Sequence, residues 1–495
     1  MKNLRIKESI AASRALLCAA AAALLGACTL EPDYEVPETP LNAKVDALKS
    51  FKYAKDSWKQ ANPQDDLPKG KWWLIFNDDN LNKLIETCRA NNPNLKSAFY
   101  AVENARAKAF MTESELYPWV NGNLAYSRTG TAENSANYRG TYNDYALGLG
   151  LTWDLDLFGR VQALLASDTA EAQAMFAAYE NVMLMLECET ASTYFTILQY
   201  NSEIEILSET VKTREAQLEI IKNRFAANYS SKTDLKRAEQ QLYEAKSQLA
   251  AVETTKNTSA NYLAYLIGTI PAKFEAPSAN LVFAKLPETP LALPSALLER
   301  RPDIAEAERK VYAANYRIGA ANSAFFPTVQ LTSSVGLDSQ KADTLFNSAS
   351  LAWGVSPNVY IPIFQAGNLW GQRKSALAYH AQVVEDYKAT VLNAIYETES
   401  ALSSIRDLKT EYEARAETAK ASMEVRDLTK DQYETGTIDY FEFTDAERLA
   451  LLNERERINV MGNRFRAVIT LVRAIGGSAR DYASAPEAQS KVAKD

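Results

Sequence analysis

The chain contains the same pattern twice, and this duplication constrains its fold more than any other feature of its 495 residues. NYSSKTDLKRAEQ begins at Asn228, and GTIDYFEFTDAER begins at Gly436, 208 positions later. Both stretches start with a turn-forming residue, carry an acid at the seventh place and contain Ala-Glu further on. NNPNL and LYPWV in the first half likewise correspond to RRPDI and FFPTV in the second. A repeat of about 200 residues predicts one architecture of two similar halves, not several unrelated domains.

The first residues are typical of a bacterial export signal. A basic start is followed by an apolar run, Ala15 to Leu25, that is too short to span a bilayer as a mature helix. The sequence LGAC, ending at Cys28, resembles the lipobox of lipoproteins, in which the cysteine carries diacylglycerol and an N-acyl chain. Because Thr29 stands where inner-membrane lipoproteins have Asp, we expect lipidation of Cys28 and export to the outer membrane. The alternative is an ordinary signal peptide followed by a chance cysteine.

The export signal and the duplication together divide the chain into five predicted segments. These are a signal peptide (1–27), a lipid-anchored extended segment (28–70), a first structural repeat (71–285), a second structural repeat (286–480) and a C-terminal tail (481–495). Each repeat is expected to hold a helix, two β-strands and a long helical hairpin. EPDYEVPETP, after the anchor, is Pro-rich and without periodicity, which is typical of an extended spacer.

Alternating apolar and small residues predict β-strands in each half. In YALGLGLTWDLDL, from Tyr145 to Leu157, every second residue is large and apolar, and those between are small or acidic. LAWGVSPNVYIPI and the stretch after Pro327 repeat the alternation, whereas the strand after Pro118 is the least regular. A sheet packed on a soluble core would explain this pattern. In an exported chain, however, strands with one apolar and one polar face match the wall of an outer-membrane barrel.

Four strands are too few to enclose a barrel, since closed transmembrane barrels need about eight or more. An open sheet edge in lipid would leave backbone N–H and C=O groups without partners, at a high cost in free energy. If these strands span the membrane, several chains must therefore share one barrel.

Heptad spacing predicts long helices between the strands and the duplicated turns. The apolar seam from Ile197 to Phe225 contains one charged member, Arg214. Nothing interrupts the helix between 159 and 226, which would be roughly 100 Å long. Hairpins of that length on a membrane sheet must project into the periplasm, with Asn228 and Gly436 at their far tips. A lipid-anchored coiled-coil scaffold without a pore would also explain the seams, but it would not explain the strands.

The lipobox, the paired Pro motifs, WDLDLFGR and the late turn together resemble the TolC-like outer membrane factors, in particular the lipid-anchored branch of NodT and OprM type. The resemblance implies an α+β membrane protein with an internal two-fold repeat. It implies a homotrimer with a twelve-strand outer-membrane β-barrel, four strands from each chain, continuous with a long periplasmic α-helical barrel. It also implies a passive exit duct that works with a periplasmic adaptor (membrane fusion) protein and an inner-membrane resistance-nodulation-division transporter.

The family places its periplasmic gate at the second-copy turn. The matching residues here are Phe441, Glu442 and Asp445, with Arg448 as the nearest partner for the acids. Threefold symmetry would make carboxylate rings that attract cations and repel one another when the pore narrows, with Phe441 as an apolar plug. The alternative is that Glu442 and Asp445 are solvated acids favoured by the helix dipole.

Relatives join the two tips through a Tyr and an Asp, and the matching pair here is Tyr433 and Asp234. The resemblance assigns these residues, together with Asn228 and Gly436, to the tip latch and to adaptor docking. Relatives also carry a basic residue two positions after the glycine. Ile438 stands there in this chain, which puts that part of the latch in question.

The charge beside the turn is reversed between the copies. Thr444-Asp445 of the late copy corresponds to Lys236-Arg237 of the early copy. If only the late set closes the pore, the early pair is expected to pack outside, away from the axis.

Several functional classes are disfavoured by composition. A net charge of −8, with no basic cluster beyond the N-terminus, makes nucleic acid an unexpected partner. His380 is the only histidine, and no catalytic motif, metal-ligand spacing or cofactor motif occurs, so we expect no enzyme activity, metal or cofactor beyond the lipid. Cys88 and Cys188 could pair in the oxidising periplasm or remain buried thiols.

Overall fold

The computed structural model describes residues 32, 34, 37, 70–134, 136, 138–287 and 301–477. The predicted signal peptide, the anchor at Cys28, most of the segment 28–70 and the tail 481–495 lie outside these residues.

Long helices and four strands make up the described part of the chain. The helices are α1 (Asp79–Asn91), α2 (Pro93–Ser114), α3 (Arg160–Ala226), α4 (Lys232–Leu266), α5 (Pro302–Ser323), α6 (Asn368–Glu434) and α7 (Tyr440–Ala474). The strands are β1 (Trp119–Gly130), β2 (Thr141–Leu155), β3 (Thr328–Ser339) and β4 (Leu351–Tyr360). No described helix is both long enough and apolar enough to cross a membrane.

The duplication is visible in the order and length of these elements. A 22-residue helix, two strands, a 67-residue helix and a 35-residue helix follow one another in each half. Helices α3 and α4 form the first hairpin, and α6 and α7 form the second hairpin. Equal helix lengths in both halves place the two turns at matching points of the repeat.

In each half, a side chain just before the 22-residue helix donates a hydrogen bond to a carbonyl at the end of the 35-residue helix. The Asn92 side chain, just before α2, donates to the carbonyl of Leu266 at the end of α4 over 2.7 Å. Arg301, just before α5, donates to the carbonyl of Ala474 at the end of α7 over 2.9 Å. The last carbonyls of a helix lack partners within the helix, so these side chains stabilise both helix ends. Glu397 binds the Arg301 guanidinium from α6 and compensates its buried charge.

Two compact units divide the described residues. One contains all four strands, and the other contains both hairpin turns. The first unit comprises the described residues of 100–176 and 306–387, together with the three described positions near the N-terminus. The second unit comprises 70–99, 177–287, 301–305 and 388–477.

The core of the second unit is aromatic. Trp72 and Phe76, on a 3-10 turn before α1, are buried with Phe195 of α3 and Phe465 of α7. The ring centroids of Phe195 and Phe465 lie 4.6 Å apart, and those of Phe76 and Phe195 lie 4.9 Å apart. The Trp72 indole N–H donates to the buried carboxylate of Glu187 over 2.8 Å. These contacts pack the two hairpins against each other and hold the start of the first repeat to both.

The sheet of the first unit is antiparallel in the order β1-β2-β3-β4. Its register pairs Leu149 with Val335 on one face and Thr152 with Thr332 on the other, so apolar and polar residues keep to separate faces. Near its centre the β2 and β3 backbones approach closely at Gly336, where an added Cβ would lie 2.7 Å from the Cα of Gly148. Only glycine fits there.

Candidate functional site at the sheet face and the hairpin turns

The apolar face of the sheet is exposed in the single chain. Leu149 is 55% exposed and Trp353 75% exposed, and their neighbours on this face, Val120, Leu124 and Val355, are exposed as well. A sheet packed on a soluble core would bury such a face. Its opposite face carries glycine, serine, threonine and other small or polar residues. The strands therefore present an apolar surface on one side and a hydrophilic surface on the other, as a barrel wall in lipid requires.

The turn of the first hairpin closes at Asn228. Its φ is 62°, in the left-handed region that Asn tolerates better than most residues. The Tyr229 N–H returns to the Arg224 carbonyl over 2.7 Å and ends α3. Helix α4 then starts with a capping box, in which Ser231 and Asp234 each accept from the other's backbone N–H.

The turn of the second hairpin uses the same geometry with different residues. Gly436 has a φ of 78°, and the Thr437 N–H donates to the Gln432 carbonyl over 2.9 Å. The Asp439 side chain caps α7 by accepting from the Glu442 N–H over 2.9 Å. Asn228 and Gly436 therefore lie at the two turns, as the sequence predicts.

The predicted gate residues occupy the first turns of α7 and are mostly exposed. Phe441 is 53% exposed, Glu442 is exposed, and Asp445 is half-buried. Arg448 forms an ion pair with Asp445 at 2.8 Å, one turn further on. Phe441, Asp445 and Arg448 lie on one side of the helix because they are spaced by four and three residues. Glu442 and Asp445 also stand at a helix N-terminus, where the dipole favours acids, so the alternative interpretation describes the same positions.

The predicted latch residues lie near each other but bond to other groups. The Tyr433 hydroxyl accepts from the Arg224 guanidinium over 3.0 Å, and Asp234 is engaged in the capping box. Among the described residues, no hydrogen bond joins Tyr433 to Asp234. Burial raises the pKa of the Tyr433 hydroxyl; the charge of Asp234 adds to this rise and that of Arg224 opposes it. Arg224, which the sequence did not single out, is therefore the polar partner of Tyr433 across the hairpins.

An apolar cluster stands behind the two turns. Tyr433 and Phe443 stack with ring centroids 5.4 Å apart, and Tyr440 and Leu218 are buried beside them. Ile438 packs against this cluster. Position 438 thus contributes packing and no charge.

The early basic pair is not remote from the late turn. The Arg237 guanidinium lies over the ring of Phe441, 4.9 Å from its centroid. Lys236, its neighbour, pairs instead with Glu239 on its own helix at 2.6 Å. Arg237 of the early pair therefore contacts the predicted gate residue Phe441 within one chain, because α4 lies beside the start of α7.

A buried ion pair crosses between the hairpins behind this cluster. Arg214 of α3 binds Glu447 of α7, and the two side chains are only 7% and 12% exposed. Gln217 and Gln241 complete the contact by accepting from the Arg214 guanidinium over 2.9 and 3.0 Å. The only sequence signal for this pair is that Arg214 interrupts an apolar seam.

The described residues form no site suited to metal binding or to thiol chemistry. No group of three or more His, Cys, Asp or Glu residues there could hold a metal ion. Cys88 and Cys188 are buried free thiols, and burial raises the pKa of each.

Comparison with known proteins identifies the class. The family described as outer membrane efflux protein matches residues 84–269 and 293–477, one match in each repeat. The chain belongs to this family, and its predicted assignment to the TolC-like outer membrane factors is confirmed.

Individual relatives cover nearly the whole chain. The cation efflux system protein CusC of Escherichia coli is 28% identical over 92% of this chain and 97% of its own length. The toluene efflux pump outer membrane protein TtgI of Pseudomonas putida is 29% identical over 92% of this chain and 96% of its own. The open-state MtrE outer membrane channel of Neisseria gonorrhoeae superposes with a TM-score of 0.78 at 28% identity, over 91% and 99% of the two chains.

These likenesses confirm the predicted fold class, in which each chain brings a four-stranded sheet and long helical hairpins to a channel. The protein is an outer membrane efflux channel with a large periplasmic part.

Proposed function

We propose that three copies of this chain close one twelve-strand barrel and form the passive exit duct of a tripartite efflux system. The observation that carries this proposal is the open four-stranded sheet with its exposed apolar face. In the described sheet, β1 and β4 each pair on one side only. Their free edges would be too costly in lipid unless strands of neighbouring copies pair with them. Three copies give twelve strands, which is enough to enclose a lumen.

The partners and the lipid anchor are part of the same proposal. A periplasmic adaptor and an inner-membrane resistance-nodulation-division transporter supply the energy, since the sequence offers no recognisable catalytic motif of its own. Lipid on Cys28 holds the N-terminus at the outer membrane, and the hairpin turns around Asn228 and Gly436 dock the adaptor.

The gate is formed by the first turns of α7. Rings of Glu442 and Asp445 around the threefold axis attract cations, and Phe441 narrows the same passage. The exposure of Phe441 and Glu442 in the single chain supports this role, because a residue needed only for packing would be buried. Arg448, paired with Asp445, limits the net negative charge of the ring.

The cargo is a set of small solutes chosen by the inner-membrane partner. The relatives are named for solutes as different as cations and toluene, although they share the fold of this chain. A duct that accepts both needs a hydrophilic passage and no specific binding pocket, which agrees with the small and polar residues on the inner sheet face.

Conductance of the purified protein in a planar bilayer, together with its mass in detergent, tests the proposal. A trimer that gives discrete ion-conducting steps is expected. The alternative function, a lipid-anchored periplasmic scaffold without a pore, predicts no conductance, and that result with intact trimers would overturn the duct.

A further inference from the structure

A cavity of about 430 Å³ opens between α3, α4 and α7 in the second unit. Tyr262 and Tyr265 of α4 line one side of it, and their ring centroids lie 6.1 Å apart with the ring planes only 21° from parallel. Arg466 and Arg473 of α7 line another side. Two aromatic rings and two cations therefore border one space, well away from the turns of the hairpins.

The Arg466 guanidinium forms no ion pair in the described part of the chain. It donates hydrogen bonds to three neutral side chains, those of Thr196, Gln199 and Asn463, over 3.2, 2.9 and 2.6 Å. Burial lowers the pKa of this guanidinium, and the charge of Glu203 opposes the lowering. Glu203 is itself paired with Arg455 at 3.4 Å. A half-buried cation in this position would be stabilised by an anion that enters the cavity beside it.

The remaining groups of the lining leave a positive balance. Glu189 is the carboxylate of the lining, and it accepts a hydrogen bond from Tyr262. Two guanidinium groups and one carboxylate give the lining a net charge of +1. The hydroxyls of Ser192 and Thr470 add groups that can donate hydrogen bonds. The cavity therefore suits a ligand with one negative group and an aromatic body, which can pack on the tyrosine rings.

The cavity lies on the open face of α3. Met185, Glu189 and Ser192 line it, and Thr196 binds Arg466 one turn further on. The residues two positions after these four are Glu187, Ala191, Tyr194 and Leu198, which are buried in or against the aromatic core. Two residues rotate a helix by about 200°, so the two sets lie on opposite faces of α3.

This geometry places the cavity toward the passage of the proposed duct. Three copies of the aromatic core on the inner side of a helical tunnel would obstruct it, so the core lies outside and the opposite face of α3 lines the passage. Met185, on that face, is 50% exposed. Solutes in the passage can therefore reach the cavity.

We propose that the cavity bordered by Arg466, Arg473, Tyr262 and Tyr265 binds aromatic organic anions, carboxylates or sulfonates, as they move along the duct. The negative group pairs with the Arg466 guanidinium, and the rings pack against the two tyrosines. This proposal rests on the proposed function, because only a duct brings such solutes to this face of α3. The site holds these anions in transit, and the choice of cargo stays with the inner-membrane partner.

Isothermal titration calorimetry of the full-length trimer in nonionic detergent tests the binding, with naphthalene-2-sulfonate as the probe. Saturable binding at one site per chain is expected, with a Kd on the order of 0.1–1 mM. Naphthalen-2-ol has the same rings without the charge. It should bind at least about tenfold more weakly, because it forms no charge-assisted hydrogen bond with Arg466.

Two variants remove the cations one at a time. Arg466→Gln keeps a donor for Thr196 and should weaken binding of naphthalene-2-sulfonate by about tenfold or more. Arg473→Gln removes an exposed guanidinium and should weaken it by roughly threefold, since solvent screens this charge. Binding of naphthalen-2-ol should change in neither variant.

Arg464→Gln is the matched control. Arg464 stands two residues before Arg466 on α7, and its guanidinium lies over the ring of Tyr412, 4.7 Å from the centroid. The variant removes the same charge from the same helix but from the opposite face. Its affinity for naphthalene-2-sulfonate should stay within about twofold of wild type, because a distant exposed charge is screened.

Three results would overturn the site: no saturable binding of naphthalene-2-sulfonate to wild type, equally tight binding of naphthalen-2-ol, or unchanged affinity in Arg466→Gln. If Arg466→Gln does not form the trimer, Arg473→Gln decides, and unchanged affinity in that variant overturns the site.

The duct and the cavity fail in different ways. Trimers that bind naphthalene-2-sulfonate but do not conduct would overturn the duct alone, and conducting trimers that do not bind it would overturn the cavity alone. Met185→Cys tests where the cavity lies. Coupling this cysteine to a maleimide that carries polyethylene glycol should roughly halve the conductance, since the polymer would occupy the passage. Wild type is the control, because Cys88 and Cys188 are buried. Complete coupling with unchanged conductance would place the cavity outside the passage and overturn its role in transit.

Discussion

Arg237 of the first hairpin lies with its guanidinium 4.9 Å from the ring centroid of Phe441 on the second hairpin. This contact gives a physical reason for the reversed charge between the two repeats. A cation over the face of an aromatic ring is attracted by the ring's quadrupole, so the basic residue of the early copy stabilises the exposed aromatic residue of the late copy. The two turns therefore carry complementary residues at this contact.

Replacing Arg237 with Ala should release the Phe441 ring. A cation–π contact at an exposed site contributes about 0.5–1 kcal/mol, so the resting conductance should rise by roughly two- to fivefold. Lys236→Ala is the control, because Lys236 contacts Glu239 and not Phe441. Bilayer recording of both variants checks this prediction, and a larger effect from Lys236→Ala would contradict it.

Replacing Glu442 and Asp445 together with Ala should reduce cation selectivity by about twofold or more. Fixed negative charge at a constriction raises the local cation concentration, and this charge would be lost from all three copies. Reversal potentials in a salt gradient measure the effect. Selectivity that responded to Lys236 and Arg237 but ignored the two acids would place the gate elsewhere.

Adding Phe441→Ala to the variant that has Ala at positions 442 and 445 tests which group obstructs the passage, the aromatic ring or the carboxylates. If the ring is the main obstruction, resting conductance should increase mainly at this third substitution, because removing carboxylates does not widen the passage. An increase that is complete in the acid variant would show that the carboxylates, through contacts such as Asp445–Arg448, hold the passage shut.

Arginine on the two faces of β2 should have unequal effects. Leu149→Arg places a charge on the exposed apolar face and should cost about 2–4 kcal/mol at mid-bilayer, which impairs insertion. Thr152 lies three residues further on, on the polar face of the sheet, where it pairs with Thr332. Thr152→Arg should therefore be tolerated better. The yield of heat-resistant trimer in outer membranes compares the two. Equal damage would indicate that both faces are packed.

Cys28→Ser should abolish metabolic labelling with palmitate and cleavage before residue 28. The trimer should still assemble, because the barrel and the hairpins do not depend on the lipid. Wild-type protein that takes up no label would refute the lipid anchor, and loss of the trimer in the variant would mean that the anchor is needed for assembly.

The elements of this fold could be predicted from the sequence because they follow from local periodicity. Alternation places Leu149 and Val335 on one sheet face, and heptad spacing places Leu218 inside the first hairpin. The turns at Asn228 and Gly436 follow from residues that accept a left-handed backbone. Ser231 and Asp234 have the spacing of a capping box. The assignment of Asp234 to the latch did not take this local signal into account.

The contacts between the hairpins were decided only by the tertiary structure. The heptad seam of α3 predicts that Arg214 is buried. Nothing in the sequence near Arg214 indicates that its partner is Glu447, 233 positions away. The partners of Arg224 and Arg237 lie similarly far along the chain. Such pairs depend on the rotation and axial offset of whole helices, which many weak packing contacts determine together. Local periodicity specifies which side of a helix is buried, whereas the packing of complete helices specifies which charges meet there.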